Sequence, residues 1–531
     1  MSLPRCHEQM SCIRSSRGIV KLVYRSVRFL VRYSFLLGLF VMLFASCETD
    51  LTDLNVNPDE PLDADPNYLF SYALQQGMGN YNSDVNLEQW GVMNWMMYLA
   101  SREGVEVGRE YPVPSGKDEF WREQYTNTLS NTQVIINMAQ ADATMINMQA
   151  AAEIWKVLVI SQLTDLWGDI PYSQALQGIS DNVLSPGYDT QAQIYEAMLQ
   201  TLRDATERFT SDQKFFDAQS DLIYHGNMQA WRALGHSLML RLATRINQVD
   251  AETYASVLEF LSDKPLISSV GESAIFPFNA VRKNHLWETM YRGESVVQNN
   301  PSKYFVDLLS ATNDPRKRVF FEEAPLSFLP FIQKYRGIPN LLPNTSEEWN
   351  DYNLNSTFGI AGDWGDISKI GQWFLRDATP GIVMSYSEVC FLLAEASLNG
   401  LWGESAASLV QKGVRANMEL YNLYGDEDSF IAGEEIEDYL NSLPDAGLEQ
   451  IITQKWISFA FEQGYQAYAE YRRTGFPVLT NYFGEPIDQS IFPLRLPYPN
   501  SEYTLNRANY NQAVANQGPD NEFTAMYWIP E

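Results

Sequence analysis

Apolar residues recur at spacings of three and four along most of the chain beyond residue 66. Ile194, Met198, Leu202, Ala205 and Phe209 form one such stripe, and Trp231, Leu234, Leu238, Leu242 and Ile246 form another. This period gathers apolar side chains on one face of an amphipathic helix. The first stripe starts at Asp189-Thr190 with Gln193 in capping-box position. A third stripe runs through Cys390, Leu393 and Ala394 or Ala396. It follows Ser385-Tyr386-Ser387-Glu388, a second capping-box pattern, and stops at Asn399-Gly400. The same rhythm predicts helices near 67–79, 125–140, 147–166, 251–262, 300–310, 403–421 and 447–470. Period-two alternation is rare and short. The pattern predicts an all-α domain of antiparallel helix pairs.

Two regions break the rhythm, about 80–120 and about 265–380, where Pro, Gly, Asn and aromatic residues mix without a lasting period. Long irregular stretches inside a helical body are usually functional loops. The run from Phe476 to Glu531, rich in Pro, Asn and Tyr, reads as a segment wrapped around the body.

The N-terminal region has a different pattern. Basic residues lead into an apolar run from Phe35 to Ala45, interrupted only by Gly38, and small residues Ala45 and Ser46 precede Cys47. A spanning helix needs about 20 apolar residues, so the run is too short for a membrane anchor. It reads as a signal peptide, residues 1–46, that ends at a cysteine to be acylated. Residues 47–66, rich in Asp, Asn and Pro, then form a flexible tether, and 67–531 the folded body.

Charge narrows the partners. The chain carries a formal charge of −29; removing 1–46 takes away seven basic residues and one acidic residue, leaving −35. Such a surface repels phosphate backbones and anionic headgroups, so lipid rather than charge is expected to hold the protein at a membrane, and nucleic acid is no partner. With 45% hydrophobic and 13% aromatic residues the chain can bury a large core. Beyond Ser46 only Cys47 and Cys390 remain; an acylated Cys47 leaves no disulfide, and Cys390 reads as a buried free thiol.

Several polar residues read as scaffold. Asp165, Gly168 and Pro171 in LTDLWGDIPY can end a helix, with Asp165 accepting backbone N–H bonds. Glu388 and Glu395, two turns apart on one helix face, read as buried carboxylates bonded to a neighbouring helix, and Arg472 and Arg473 as their partners or as caps for terminal carbonyls. His225, His236 and His285 lack metal-like spacing. Asp53, Asn55, Asn57 and Asp59 alternate as in a calcium loop, but Pro58 and Ala64 stand where such a loop needs Gly and Glu. No metal or cofactor is expected. No GxSxG, P-loop or GxGxxG is present, which counts against an enzyme. Two carboxylates among so many acids still leave a glycosidase open.

The sequence resembles the SusD/RagB family of outer-membrane nutrient-binding lipoproteins of Bacteroidetes, in its second SusD-like branch. The likeness lies in Cys47 with the acids after it, Asn55-Val56-Asn57-Pro58, LTDLWGDIPYSQAL at Leu163–Leu176 and SPGYDTQAQIY at Ser185–Tyr195. It continues in Tyr224-His225-Gly226-Asn227 leading to Trp231, Asn313-Asp314-Pro315-Arg316 and MSYSEVCFLLAEA at Met384–Ala396. The last blocks are Gln454–Pro477 and LRLPYPNSE at Leu494–Glu502. The resemblance implies four tetratricopeptide-like helix pairs decorated with ligand-binding loops. It further implies a lipid-anchored, outward-facing protein that closes a SusC-like TonB-dependent outer-membrane transporter as a lid and hands it oligosaccharide. Other readings are a peptide-binding member of the family, a secreted all-α glycosidase and a helical-repeat scaffold.

Sugar binding asks for flat apolar faces beside amides, carboxylates or guanidinium groups. The irregular loops offer Asn94 and Trp95 in the first region and Trp287, Tyr291, Trp349, Trp364 and Asp366 in the second. Trp287, Trp349 and Trp364, with Asn, Asp and Gly neighbours, are expected at exposed loop tips.

Overall fold

The segment Ile146–Trp167 carries apolar residues on every side rather than on one stripe, and such a helix has to be enclosed by others. In a computed structural model of the chain it is buried along most of its length. The structure describes residues 64–79, 84–101, 104, 111–177, 183–288, 299–351 and 367–530. Those from Asp65 onwards belong to one compact unit. Cys47 and residues 48–63 of its tether, Tyr291, Trp364 and Asp366 lie outside the described residues; the last tether residues are described, with Asp65 capping a helix that starts at Pro66.

The longer helices, in chain order, are α1 Pro66–Gly77, α2 Ser130–Ala141, α3 Ile146–Trp167, α4 Gln191–Arg208, α5 Met228–Arg245, α6 Ala251–Leu261 and α7 Lys303–Ala311. They continue with α8 Tyr386–Leu398, α9 Ala406–Tyr424, α10 Gly433–Ser442, α11 Leu448–Phe459, α12 Gly464–Thr474 and α13 Arg507–Gln517. Consecutive helices pack as pairs: α2 on α3, α4 on α5, α8 on α9 and α11 on α12. The fold is all-α and tetratricopeptide-like. Four short strands, β1 Leu99–Ser101, β2 Ala274–Phe276, β3 Asn299–Pro301 and β4 Gly381–Met384, make two antiparallel ribbons, β1 with β3 and β2 with β4. Among the described residues no helix is long and apolar enough to cross a membrane.

Helix ends follow local chemistry, with instructive exceptions. Thr190 and Gln193 cap α4 reciprocally. At α8 only half of the expected capping box forms: Ser385 accepts the Glu388 N–H at 3.2 Å, but the Glu388 carboxylate turns away to Arg241, 2.6 Å from both Nε and Nη2. A charge-assisted bidentate bond in the interior outweighs a backbone cap. The helix expected over 447–470 is two helices, broken where Phe461 takes φ 68°. The one expected over 300–310 starts at Lys303, after β3, with Ser302 as its cap.

Asp165 was expected to accept backbone N–H groups and does not. It accepts the Tyr195 hydroxyl and, at 3.1 Å, the Trp528 indole N–H. Gly168 does turn the chain at φ 83°, and the Gln517 side chain fills the space a Cβ would need. The C-terminal run wraps the body: Leu496 donates its N–H to Leu166 O at 2.7 Å, and the Tyr498 hydroxyl donates to Asp169 O at 2.7 Å. Glu395 pairs with Arg473 at 2.6 Å, and Arg473 also reaches Glu470 at 2.7 Å, all three buried. Cys390 is a buried free thiol, and burial pushes its pKa up to about 12.

Candidate functional site

The two irregular regions meet at one knot of backbone. Ser101 at the end of β1 stands opposite Asn299 at the start of β3. The Ser302 N–H donates to Tyr98 O at 3.1 Å and its hydroxyl donates to Met97 O. A third stretch joins them: Ile338 N–H donates to Pro301 O at 3.0 Å, and Asn340 Nδ2 donates to Leu99 O at 2.9 Å. Asn300 Nδ2 then donates to Ser368 O at 2.7 Å, tying in a fourth. Polar side chains here extend the short β1–β3 ladder, so buried backbone groups beyond it are also satisfied.

A small apolar cluster sits beside the knot, separate from the main core: Ala100, Ile338, Leu342, Trp349 and Ile367, with Tyr482 packed against it. Gly104 takes φ 70°, and a Cβ there would stand 2.9 Å from Asn344 and 3.2 Å from the Trp349 ring. Glycine alone suits that combination of backbone angle and close approach.

Trp349 is therefore packing, not platform. Only 5% of it is exposed, because the cluster draws the ring inward whatever the polarity of its sequence neighbours. Trp95 is likewise buried, edge-on to Tyr468 with ring centroids 5.3 Å apart, in the main core. Asn94 is half-buried and donates Nδ2 to Gln89 O at 3.0 Å, which closes its own turn.

Trp287 keeps part of its surface exposed, with Lys283 Nζ 4.3 Å from its ring centroid, a cation–π pair. Its base is fixed by Asn284, whose N–H donates to Asp377 O at 2.9 Å and whose Oδ1 accepts the Leu286 N–H at 2.8 Å. Beneath lies Glu462, at the break between α11 and α12. Burial pushes its carboxyl up to about 8, against hydrogen bonds from the Ile382 backbone and Asn284 that pull it down. Part of the residue is exposed, but Oε1 is buried without a hydrogen-bond partner. Glu88, Arg241, Gln463 and Gln466 join Glu462 around a cavity of about 60 Å³. Sequence reasoning missed Glu462 and Asn340: Glu462 lies inside a family block without standing out in it, Asn340 lies in no motif, and each acts through residues distant in the chain. Among the described residues no group of three or more His, Cys, Asp or Glu could hold a metal.

An all-α scaffold of helix pairs whose irregular connections are tied together on one backbone knot defines a class of binding proteins that present loops from a rigid body. Within that class the chain belongs to the SusD-like family described as starch-binding and associating with the outer membrane, which it matches over residues 58–499. A solved chitin-binding protein superposes with TM-score 0.75 at 26% identity, over 88% of this chain and 100% of the other. A SusD homologue from Bacteroides uniformis gives 0.69 at 24%, over 88% and 100%. A chitin-binding SusD homologue from Flavobacterium johnsoniae gives 0.67 at 22%, over 88% and 98%. Among curated proteins none matches the chain significantly in sequence.

Proposed function

We propose that the protein captures oligosaccharide at the outer surface of the cell and passes it to a SusC-like TonB-dependent outer-membrane transporter that it covers as a lid, while a lipid on Cys47 holds it at the membrane. The observation that carries the capture role is the part-exposed Trp287, flanked by Lys283 in a turn that Asn284 anchors, on a family scaffold associated with starch binding. A fixed ring covers the C–H face of a pyranose at small entropic cost, and an adjacent ammonium donates to hydroxyls. Tyr291, Trp364 and Asp366 stay candidate ligand residues in this proposal; Trp95 and Trp349 do not.

Two solved relatives are chitin-binding, so oligomers of N-acetylglucosamine are the first ligands to try, with malto-oligosaccharides second. The test is calorimetric titration of the full-length protein, in a detergent without a sugar headgroup, against both series and a panel of short peptides, with product analysis on the same samples. Saturable binding of intact oligosaccharide is expected. Peptide binding alone, or cleavage of the sugars, would overturn the reading.

A further inference from the structure

A second feature lies on the far side of the same knot. Between α7 and the turn that follows Thr480 is a pocket of about 320 Å³, lined by Tyr304, Asp307, Asn340, Asn481 and Tyr482 among others. That is the size of a small-ligand site. Both tyrosine rings are half-buried, so each offers a face as well as a packed edge. The Tyr304 ring stands edge-on to Trp456 at 5.9 Å and its hydroxyl donates to Val478 O at 3.1 Å, while Tyr482 stands edge-on to Phe483 at 5.3 Å. The rings are therefore held in place before any ligand arrives.

The polar groups are of the kind that recognise neutral hydroxyls. Lys303 is paired with Asp307, so the charges cancel. Asn481 is fixed by accepting the Phe483 and Glu485 N–H groups at 2.9 and 3.1 Å. Asn340, 8% exposed, spends one amide proton on Leu99 O, and its Oδ1 is buried with no hydrogen-bond partner. A buried acceptor without a donor is unusual in a native protein, and a ligand hydroxyl would satisfy it.

We infer that this pocket is an extension subsite that takes the far end of a neutral oligosaccharide whose near end lies on the Trp287 surface. The inference rests on the glycan-capture reading above. Two contacts tie the pocket wall to the loop knot: Asn340 holds the β1 carbonyl, and Tyr482 packs against the cluster that contains Trp349. A disaccharide occupies only the Trp287 surface, whereas a hexasaccharide reaches both.

The test is titration of the full-length protein with di- and hexasaccharides of the series it binds. Tyr482→Ala is expected to weaken the hexasaccharide about tenfold and to leave the disaccharide unchanged. Because Tyr482 also packs, a second variant works from outside: Ala311→Trp, at the exposed end of α7 and on the pocket wall, fills the space without removing any core atom. It should produce the same length-dependent loss with an unchanged melting temperature. Equal losses for both lengths in Ala311→Trp, or no loss for the hexasaccharide in either variant, would overturn the subsite and leave capture standing. If the wild type binds neither length, the capture reading itself fails and the subsite falls with it.

Discussion

Two tryptophans that look alike in sequence stand in opposite surroundings, one part-exposed and one buried. Trp287→Ala removes a part-exposed face, so it is expected to weaken oligosaccharide binding by about 1–3 kcal/mol with little change in melting temperature. Trp349→Ala empties a buried position and is expected to destabilise the fold by about 3–5 kcal/mol, measured by chemical denaturation. A reversal of the two results would exchange their roles. Nothing in the sequence separates them, because both stand among polar neighbours in regions without a period. Which ring is buried depends on Ala100, Ile338 and Ile367, which come from three separate stretches of chain.

Glu462 makes a residue-scale claim about pH. Its carboxyl is held at about 8, above the ordinary 4.5. The folded protein therefore binds this proton more tightly than the unfolded chain does. The resulting stability is fully present below about 4.5, declines as pH rises, and is lost through about 8. Glu462→Gln, which keeps the shape and removes the titration, should flatten the decline and make the protein more stable than wild type above pH 8. Denaturation curves at pH 5, 7 and 9 decide it, and an unchanged slope would mean that the carboxylate is already ionised in the fold.

At the scale of elements, the pairs α4/α5 and α8/α9 were largely legible from their period, with cap signals at the starts of α4 and α8 and a stop signal at the end of α8. The break between α11 and α12 was not. No Gly or Pro marks residues 460–463, and the turn is imposed by tertiary contacts around Glu462 and by Glu88, which accepts the Gly464 N–H at 2.8 Å. The buried carboxylates on α8 were legible from their spacing, and so was Arg473 as the partner of Glu395; the partner of Glu388 was not. Arg241 on α5 pairs with Glu388 in a fully buried bidentate bond. Glu388→Ala leaves that guanidinium buried and unpaired and should cost about 3–5 kcal/mol, whereas the double change Arg241→Met with Glu388→Leu should cost far less. Denaturant midpoints of the two variants and the wild type measure this. Equal destabilisation would show that the side-chain volumes, not the ion pair, join the two helices.

For the whole molecule, charge and lipid make separable predictions. With a formal charge of −35 once residues 1–46 are removed, the body has no electrostatic means of holding an anionic membrane, and added salt would weaken any such attraction by screening it. The proposed tether works through the hydrophobic effect, which salt does not release. Cys47→Ser should therefore move the protein from the membrane fraction to the soluble one, while the wild type stays on the membrane in 1 M salt. Release of the wild type by salt would point to charged contacts with another protein and would remove the lipid from the account. If Cys47→Ser stays bound and salt does not release it either, the protein is held by apolar contact with a partner, and the transporter becomes the anchor as well as the recipient of the ligand.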